Sequence, residues 1–244
     1  MFSYILSSTG VLLVGIFQGD VIENTELTQD VYIVKFRLDK NIEFKAGQFV
    51  NIEIPLPDGK KMKPYSIASP PIQRNVLEFC IKRVPGGLVS NYLHDIEIGT
   101  KLKIMGPFGM FTLKENKDAD SIFVATGTGI AGVKPMIEDL LSNGYKKNVY
   151  LIFGVRFEND VYYKQLFEEL AKKHKNFFFV PTLSKPDAKW AGEKGYVQEW
   201  IKKHVKYVGQ YMYICGLVPM VEAVKSVCTT LGFPNDHVHV EKYV

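Results

Sequence analysis

Cysteine is scarce, with three in 244 residues, at Cys80, Cys215 and Cys228. Thiols so few and so scattered build no disulfide framework, and a four-thiolate iron–sulfur centre is beyond them. They suit a reducing compartment, and the cytoplasm is expected. Net charge is small too. Lys and Arg number 30 and Asp and Glu 26, a balance of +4, well short of the basic footprint of a nucleic-acid binder. No run of about 20 apolar residues is present, so no membrane span is expected. Charge is absent from Met1 to Gln18, the first charged residue being Asp20. A secretory leader needs a positive start, and Ser7, Ser8, Thr9 and Gly10 interrupt the apolar run. This segment reads as a tail feeding a buried first strand, Val11–Phe17 and on to Val21; a membrane-associating tail is the alternative. Neither a G-x-S-x-G elbow nor a Walker A lysine occurs, which removes the hydrolase and NTPase readings. His237 and His239 share a strand face without an evident third ligand, so no metal site is expected.

What is present is a globular composition, 46% hydrophobic and 13% aromatic, long enough for two domains with cores of their own. The first half alternates as strands do, over 31–38, 49–54 and 76–84, with turn signals at Ala46-Gly47, Pro55 to Gly59, Pro70-Pro71 and Pro85-Gly86-Gly87. That spacing predicts an antiparallel barrel, with a short helix over 90–94 capped by Ser90. The charged segment Lys114–Asp120 is the expected linker. Beyond it, apolar runs at 121–125, 149–153, 177–182, 211–215 and 237–240 alternate with helical stretches at 133–142, 162–174, 197–204 and 219–231. Such alternation predicts an α/β doubly wound parallel sheet. The expected domains are residues 1–114 and 120–244.

The sharpest local signal is Gly127-Thr128-Gly129-Ile130-Ala131-Gly132, placed after a strand and before a helix. Glycines there let backbone amides approach a pyrophosphate at a helix N-terminus. The second strand of this half ends in Gly154-Val155-Arg156 with no carboxylate until Glu158. Two readings of Arg156 stand: a partner for a 2′-phosphate, which favours NADPH, or a solvated loop residue. In the first half, Lys63-Pro64-Tyr65-Ser66 follows a proline- and charge-rich loop; Tyr65 offers a flat ring and Ser66 a short donor for a planar heterocycle. Gly86-Gly87-Leu88-Val89-Ser90 is a second place where amides and a hydroxyl could hold phosphate.

The segments KPYSIAS, GGLVS, GPFGMF (106–111), GTGIAG, CGLVPM (215–220) and the terminal VEKYV resemble, in order and spacing, those of the ferredoxin–NADP reductase superfamily, from about Gly15 to the C-terminus. The resemblance implies a flavin-binding antiparallel β-barrel followed by a nicotinamide-nucleotide domain. It implies that Tyr65 stacks on an isoalloxazine and Ser66 lies near flavin N5, with Pro64 between Tyr65 and Lys63. Lys63 stands where the family usually has a phosphate-clamping arginine, so a bidentate fork becomes a point charge. Cys80 and Lys82 border the ribityl and phosphate by the same resemblance, and Leu88, Val89 and Ser90 take the pyrophosphate of FAD. Gly127, Thr128 and Gly129 resemble the dinucleotide loop, after which the family commonly has proline; here Gly132 intervenes and Pro135 comes later. Cys215, with Gly216 and Met220 in its motif, resembles the cysteine beside the nicotinamide, and Glu241 and Tyr243 a C-terminal Glu-x-aromatic, here with Val244 beyond. Cys215 also has a plain reading as core.

Hydride transfer between stacked cofactors needs no strong protein acid or base at its centre. The expected activity is hydride transfer from NADPH or NADH to FAD, with electrons passed on to an external acceptor such as ferredoxin or flavodoxin. A free-flavin or quinone reductase of the same fold is one alternative. Another is the flavin subunit of a larger redox complex, against which the lack of an added cysteine cluster before Val244 counts.

Overall fold

A computed structural model describes residues 3–7, 10–114 and 118–243. The chain divides into two compact units, Met1–Leu113 with Lys134–Asp139, and Lys114–Val133 with Leu140–Val244. The centre of the expected linker, residues 115–117, and residues 1–2 and 8–9 of the uncharged N-terminal segment lie outside the described residues.

The first unit is a sheet of β1 (Ser3–Ser7), β2 (Gly10–Thr28), β3 (Val31–Leu38), β4 (Phe49–Leu56), β5 (Gly59–Ser66), β6 (Val76–Lys82) and β7 (Lys101–Phe108), with one short helix, α1 (Leu88–His94). Its order is β5-β4-β7-β2-β3-β6, with β1 on β2, and every pairing is antiparallel. Strand β2 is 19 residues long. Its earlier part pairs with β7 and its later part with β3, with register breaks at Val21/Glu23 and Glu26/Thr28. Such breaks bend a strand, and a bent strand shared by both flanks curls the sheet into a half-barrel. The concave side closes over Tyr32, Val34, Phe36, Ile52, Phe79 and Ile104, the alternating positions of their strands.

Strand β5 corrects the expectation of a proline- and charge-rich loop before Lys63. Six of its eight residues are exposed, so no alternation of apolar and polar side chains betrays it. It is an edge strand, and Lys60, Lys61 and Lys63 give it the charge that keeps such edges from pairing with other chains. Helix α1 begins two residues before the expected start, with Gly87 and not Ser90 at its cap. Ser90 sits inside the helix, where its Oγ accepts from Val84 N–H at 3.0 Å and donates to Gly87 O at 3.3 Å.

From β8 onward the chain alternates strand and helix: β8 (Ser121–Thr126), a 3₁₀ turn Gly127–Gly129, α2 (Ile130–Ser142, whose stretch Lys134–Asp139 belongs to the first unit), β9 (Val149–Val155), α3 (Lys164–Lys173), β10 (Phe177–Leu183), β11 (Glu193–Lys194), α4 (Val197–His204), β12 (Tyr211–Leu217), α5 (Val218–Thr230) and β13 (Val238–Tyr243). The strands are parallel in the order β11-β10-β9-β8-β12-β13. Ile122, Val124, Ile152, Ile214, Val221 and Val224 form the core on the α4 and α5 face. Among the described residues, no helix is long and apolar enough to cross a membrane.

Candidate active site

The chain leaves β8 in one direction to build β9 and β10, and in the other to build β12 and β13. Such a reversal opens a crevice at the carboxyl ends of the two central strands, where open α/β sheets bind ligands. Gly127–Gly129 turns there, with Gly127 at φ 53°. Gly129 crosses the end of β12 so closely that a Cβ would lie 2.7 Å from the Cys215 carbonyl carbon and 2.8 Å from Gly216 Cα. Gly216 has φ 151°, and a Cβ on it would meet Thr126 Oγ1 at 2.6 Å and Met220 Cε at 2.8 Å. Backbone packed this tightly brings amides to the surface of the crevice without side chains over them.

Two hydroxyls mark the same edge. Thr126 and Thr182 flank Gly154 in register on neighbouring strands, and the Oγ1 of each is buried without a hydrogen-bond partner. Buried polar atoms are nearly always satisfied, so orphans call for a ligand or an ordered water. Glycine cradle and orphaned hydroxyls together fit a dinucleotide. Arg156 is exposed just past β9, its carbonyl accepting from Lys185 N–H at 2.9 Å.

Cys215, Glu241 and Tyr243 come together beside the turn. Cys215 is fully buried and pairs with Glu241 in the β12–β13 register. Its Sγ lies 4.0 Å from Glu241 Oε1. Burial, then the Glu241 charge, pushes the thiol well above its ordinary value, so it stays neutral. Gly132 now has a reason: a Cβ there would stand 2.9 Å from the thiol sulfur. Pro135 lies within α2, where it forgoes a helical N–H.

The flavin candidates belong to the first unit. Lys63, Pro64, Tyr65 and Ser66 end β5, opposite Ile52, Asn51, Val50 and Phe49 of β4. Tyr65 packs against the core, 6.3 Å from the Phe79 ring, and burial raises its phenol to about 12. Lys63 is exposed. Cys80 is buried on the face of β6 that also carries Glu78 and Lys82. Lys82 reaches Asp30 at 3.0 Å. Gly87 is too close-packed for a side chain, since a Cβ would lie 2.7 Å from Ser90 Oγ. Leu88 is exposed and Val89 buried. Asn91 Nδ2 donates to Gly87 O at 2.7 Å and Asn91 Oδ1 accepts from Arg83 Nε at 2.7 Å, so a polar frame fixes the glycine loop.

Residues 18–113 match the oxidoreductase FAD-binding domain and residues 123–226 the oxidoreductase NAD-binding domain. Ferredoxin–NADP reductase B of Sorangium cellulosum (strain So ce56) is 38% identical over 208 residues, 82% of this chain and 85% of that protein. The chain belongs to the ferredoxin–NADP reductase superfamily. It is an NAD(P)H-dependent reductase with FAD as its flavin. Phenol hydroxylase P5 protein of Acinetobacter pittii (strain PHEA-2) is 33% identical over 238 residues, 95% of this chain and 67% of that one. The crystal structure of Amycolatopsis cytochrome P450 reductase GcoB superposes on 97% of the reductase and 73% of that chain, with a TM-score of 0.89 and 27% identity.

Thr126, Thr182, Arg83 and Asn91 are additions that the structure makes to the candidate residues. Thr126 had a signal, since it ends a strand directly before the glycine motif. Thr182 had none, because its neighbour Gly154 is 28 positions away in the chain and adjacent through strand pairing.

Proposed function

We propose that the reductase takes a hydride from NADPH and passes electrons singly to a ferredoxin-type acceptor outside these 244 residues. The observation that carries this reading is the crossing of Gly127–Gly129 over Cys215–Gly216 at the switch point, with the neutral thiol, Glu241 and Tyr243 gathered beside it. Bound FAD and nicotinamide nucleotide supply the hydride and one-electron chemistry. The chain's own task is to bind, orient and exclude water. Residues 1–114 hold the flavin and 120–244 the nucleotide.

Tyr65 and Pro64 offer a flat surface to the isoalloxazine, and Ser66 a neutral donor beside it. Lys63 gives the flavin phosphate a mobile point charge; the amides of Gly87, Leu88, Val89 and Ser90 take the remaining phosphate oxygens, with Cys80 and Lys82 at the border. Gly127, Thr128, Gly129 and the Thr126 hydroxyl hold the nucleotide pyrophosphate. Cys215, Gly216 and Met220 line the nicotinamide side, where an un-ionised thiol opposes no movement of charge. Glu241 and Tyr243 cover it. Arg156, exposed at the end of β9, meets the 2′-phosphate, and this favours NADPH over NADH.

Support for the acceptor comes from the relatives, which are named for ferredoxin and for oxygenase systems, and from three cysteines being too few for a cluster here. The test is anaerobic turnover with NADPH or NADH against ferredoxin, flavodoxin and a free quinone. Faster turnover with NADPH and a one-electron protein acceptor supports the reading. Arg156→Ala should raise KM for NADPH about tenfold and leave NADH unchanged. Equal loss with both nucleotides would remove the 2′-phosphate argument.

A further inference from the structure

One cation of the first unit is buried, although lysine ordinarily keeps its charge in water. Lys134 is 4% exposed. Its Nζ donates to Ala68 O at 2.9 Å and pairs with Glu138 Oε2 at 3.0 Å and Glu78 Oε1 at 3.3 Å. Ala68 follows Ser66 by two residues, where the chain has left β5 and its carbonyl has no sheet partner to accept. The neighbouring peptides are tied as well. Ile67 N–H reaches Gln48 O at 3.0 Å, and Ala68 N–H reaches Glu78 O at 2.8 Å. Ser69 Oγ donates to Val76 O and accepts from Glu78 N–H, both at 3.2 Å. Glu78 thus holds this segment through its backbone and, through its carboxylate, holds Lys134.

A well-packed apolar side chain at position 134 would fill the space without burying charge, since buried ion pairs are often no more stable than apolar replacements. What a cation adds is direction: an ammonium among three acceptors fixes the carbonyl it meets. We propose that Lys134 is a positioning residue for the flavin, locking Ala68 O and through it the Tyr65–Ser66 segment in the conformation that receives the isoalloxazine. The proposal rests on the flavin reading above. It also explains why the helix position carries lysine where solvation offers nothing.

The test uses full-length protein, freed of flavin and reconstituted with FAD, with binding, visible spectrum and midpoint potential measured well below the melting temperature. Lys134→Met should weaken FAD about tenfold, the scale of one lost charge-assisted hydrogen bond, and shift the flavin spectrum and potential. Lys134→Met/Glu138→Gln leaves less unpaired charge and keeps the measurement open if the single variant folds poorly; the same FAD defect is expected. Lys134→Arg should recover part of the affinity. Wild-type affinity, spectrum and potential in the folded double variant would overturn the proposal, leaving the flavin reading standing. A wild-type protein that binds no FAD would overturn both.

Discussion

Strands β5 and β8 each end in a segment we propose holds a cofactor, and they could hardly be built more differently. Five of the six residues of β8 are buried, whereas six of the eight in β5 are exposed. Strand β8 lies between β9 and β12 at the centre of its sheet; β5 is an edge. The proposed nucleotide motif is therefore part of a core, and the proposed flavin motif is mounted on a rim. Changes at the first should damage folding and binding together, and changes at the second should damage binding with little loss of stability.

Gly129→Ala should have the largest effect. Its Cβ would meet the Cys215–Gly216 backbone, which cannot swing aside as a flexible side chain would. Destabilisation of about 3 kcal/mol is expected, the upper end for overpacking, with nucleotide affinity falling about a hundredfold. Denaturant melts and nucleotide titration check this, and an unchanged melt would break the contrast between core and rim. Tyr65→Ala comes next. FAD should bind at least about tenfold more weakly, with a smaller change in the melting of flavin-free protein than Gly129→Ala gives. Lys63→Arg sharpens the comparison from the other side. A bidentate fork on an exposed edge should tighten FAD a few-fold and leave stability alone.

The smallest effect is in pH. Burial and the Glu241 charge hold Cys215 above its ordinary range, and burial raises Cys228 to about 11. Above the unfolded thiol pKa of about 8.5, the folded chain binds more protons than the unfolded one. This contribution to stability is full below that pH and declines as pH climbs towards 11 and beyond. Urea midpoints should fall between pH 8 and 10, and fall less in Cys228→Ala. An equal fall would assign the effect to other groups.

The same contrast decides what could be read from the residues alone. Strand, glycine turn and helix are contiguous around 121–142, so periodicity and spacing expose the nucleotide half almost to its boundaries. The rim is different. Lysines at 60, 61 and 63 hide β5 because an edge strand has no buried face to alternate with. Ser90 resembles a helix cap, yet its hydroxyl turns back to Val84 and Gly87. Lys134 draws no notice as one lysine among many, and only the fold brings Ala68, Glu78 and Glu138 around it. The Thr126 and Thr182 hydroxyls share an edge through strand pairing, which no linear motif records.

The central claim is that one chain holds FAD and a nicotinamide nucleotide and moves a hydride between them. Its most direct test is the visible spectrum of the purified protein under anaerobic titration with NADPH and with NADH. The account predicts a flavin band that bleaches stoichiometrically, at lower concentration with NADPH. A protein that stays colourless after incubation with FAD, or a flavin band that neither nucleotide bleaches, would contradict it.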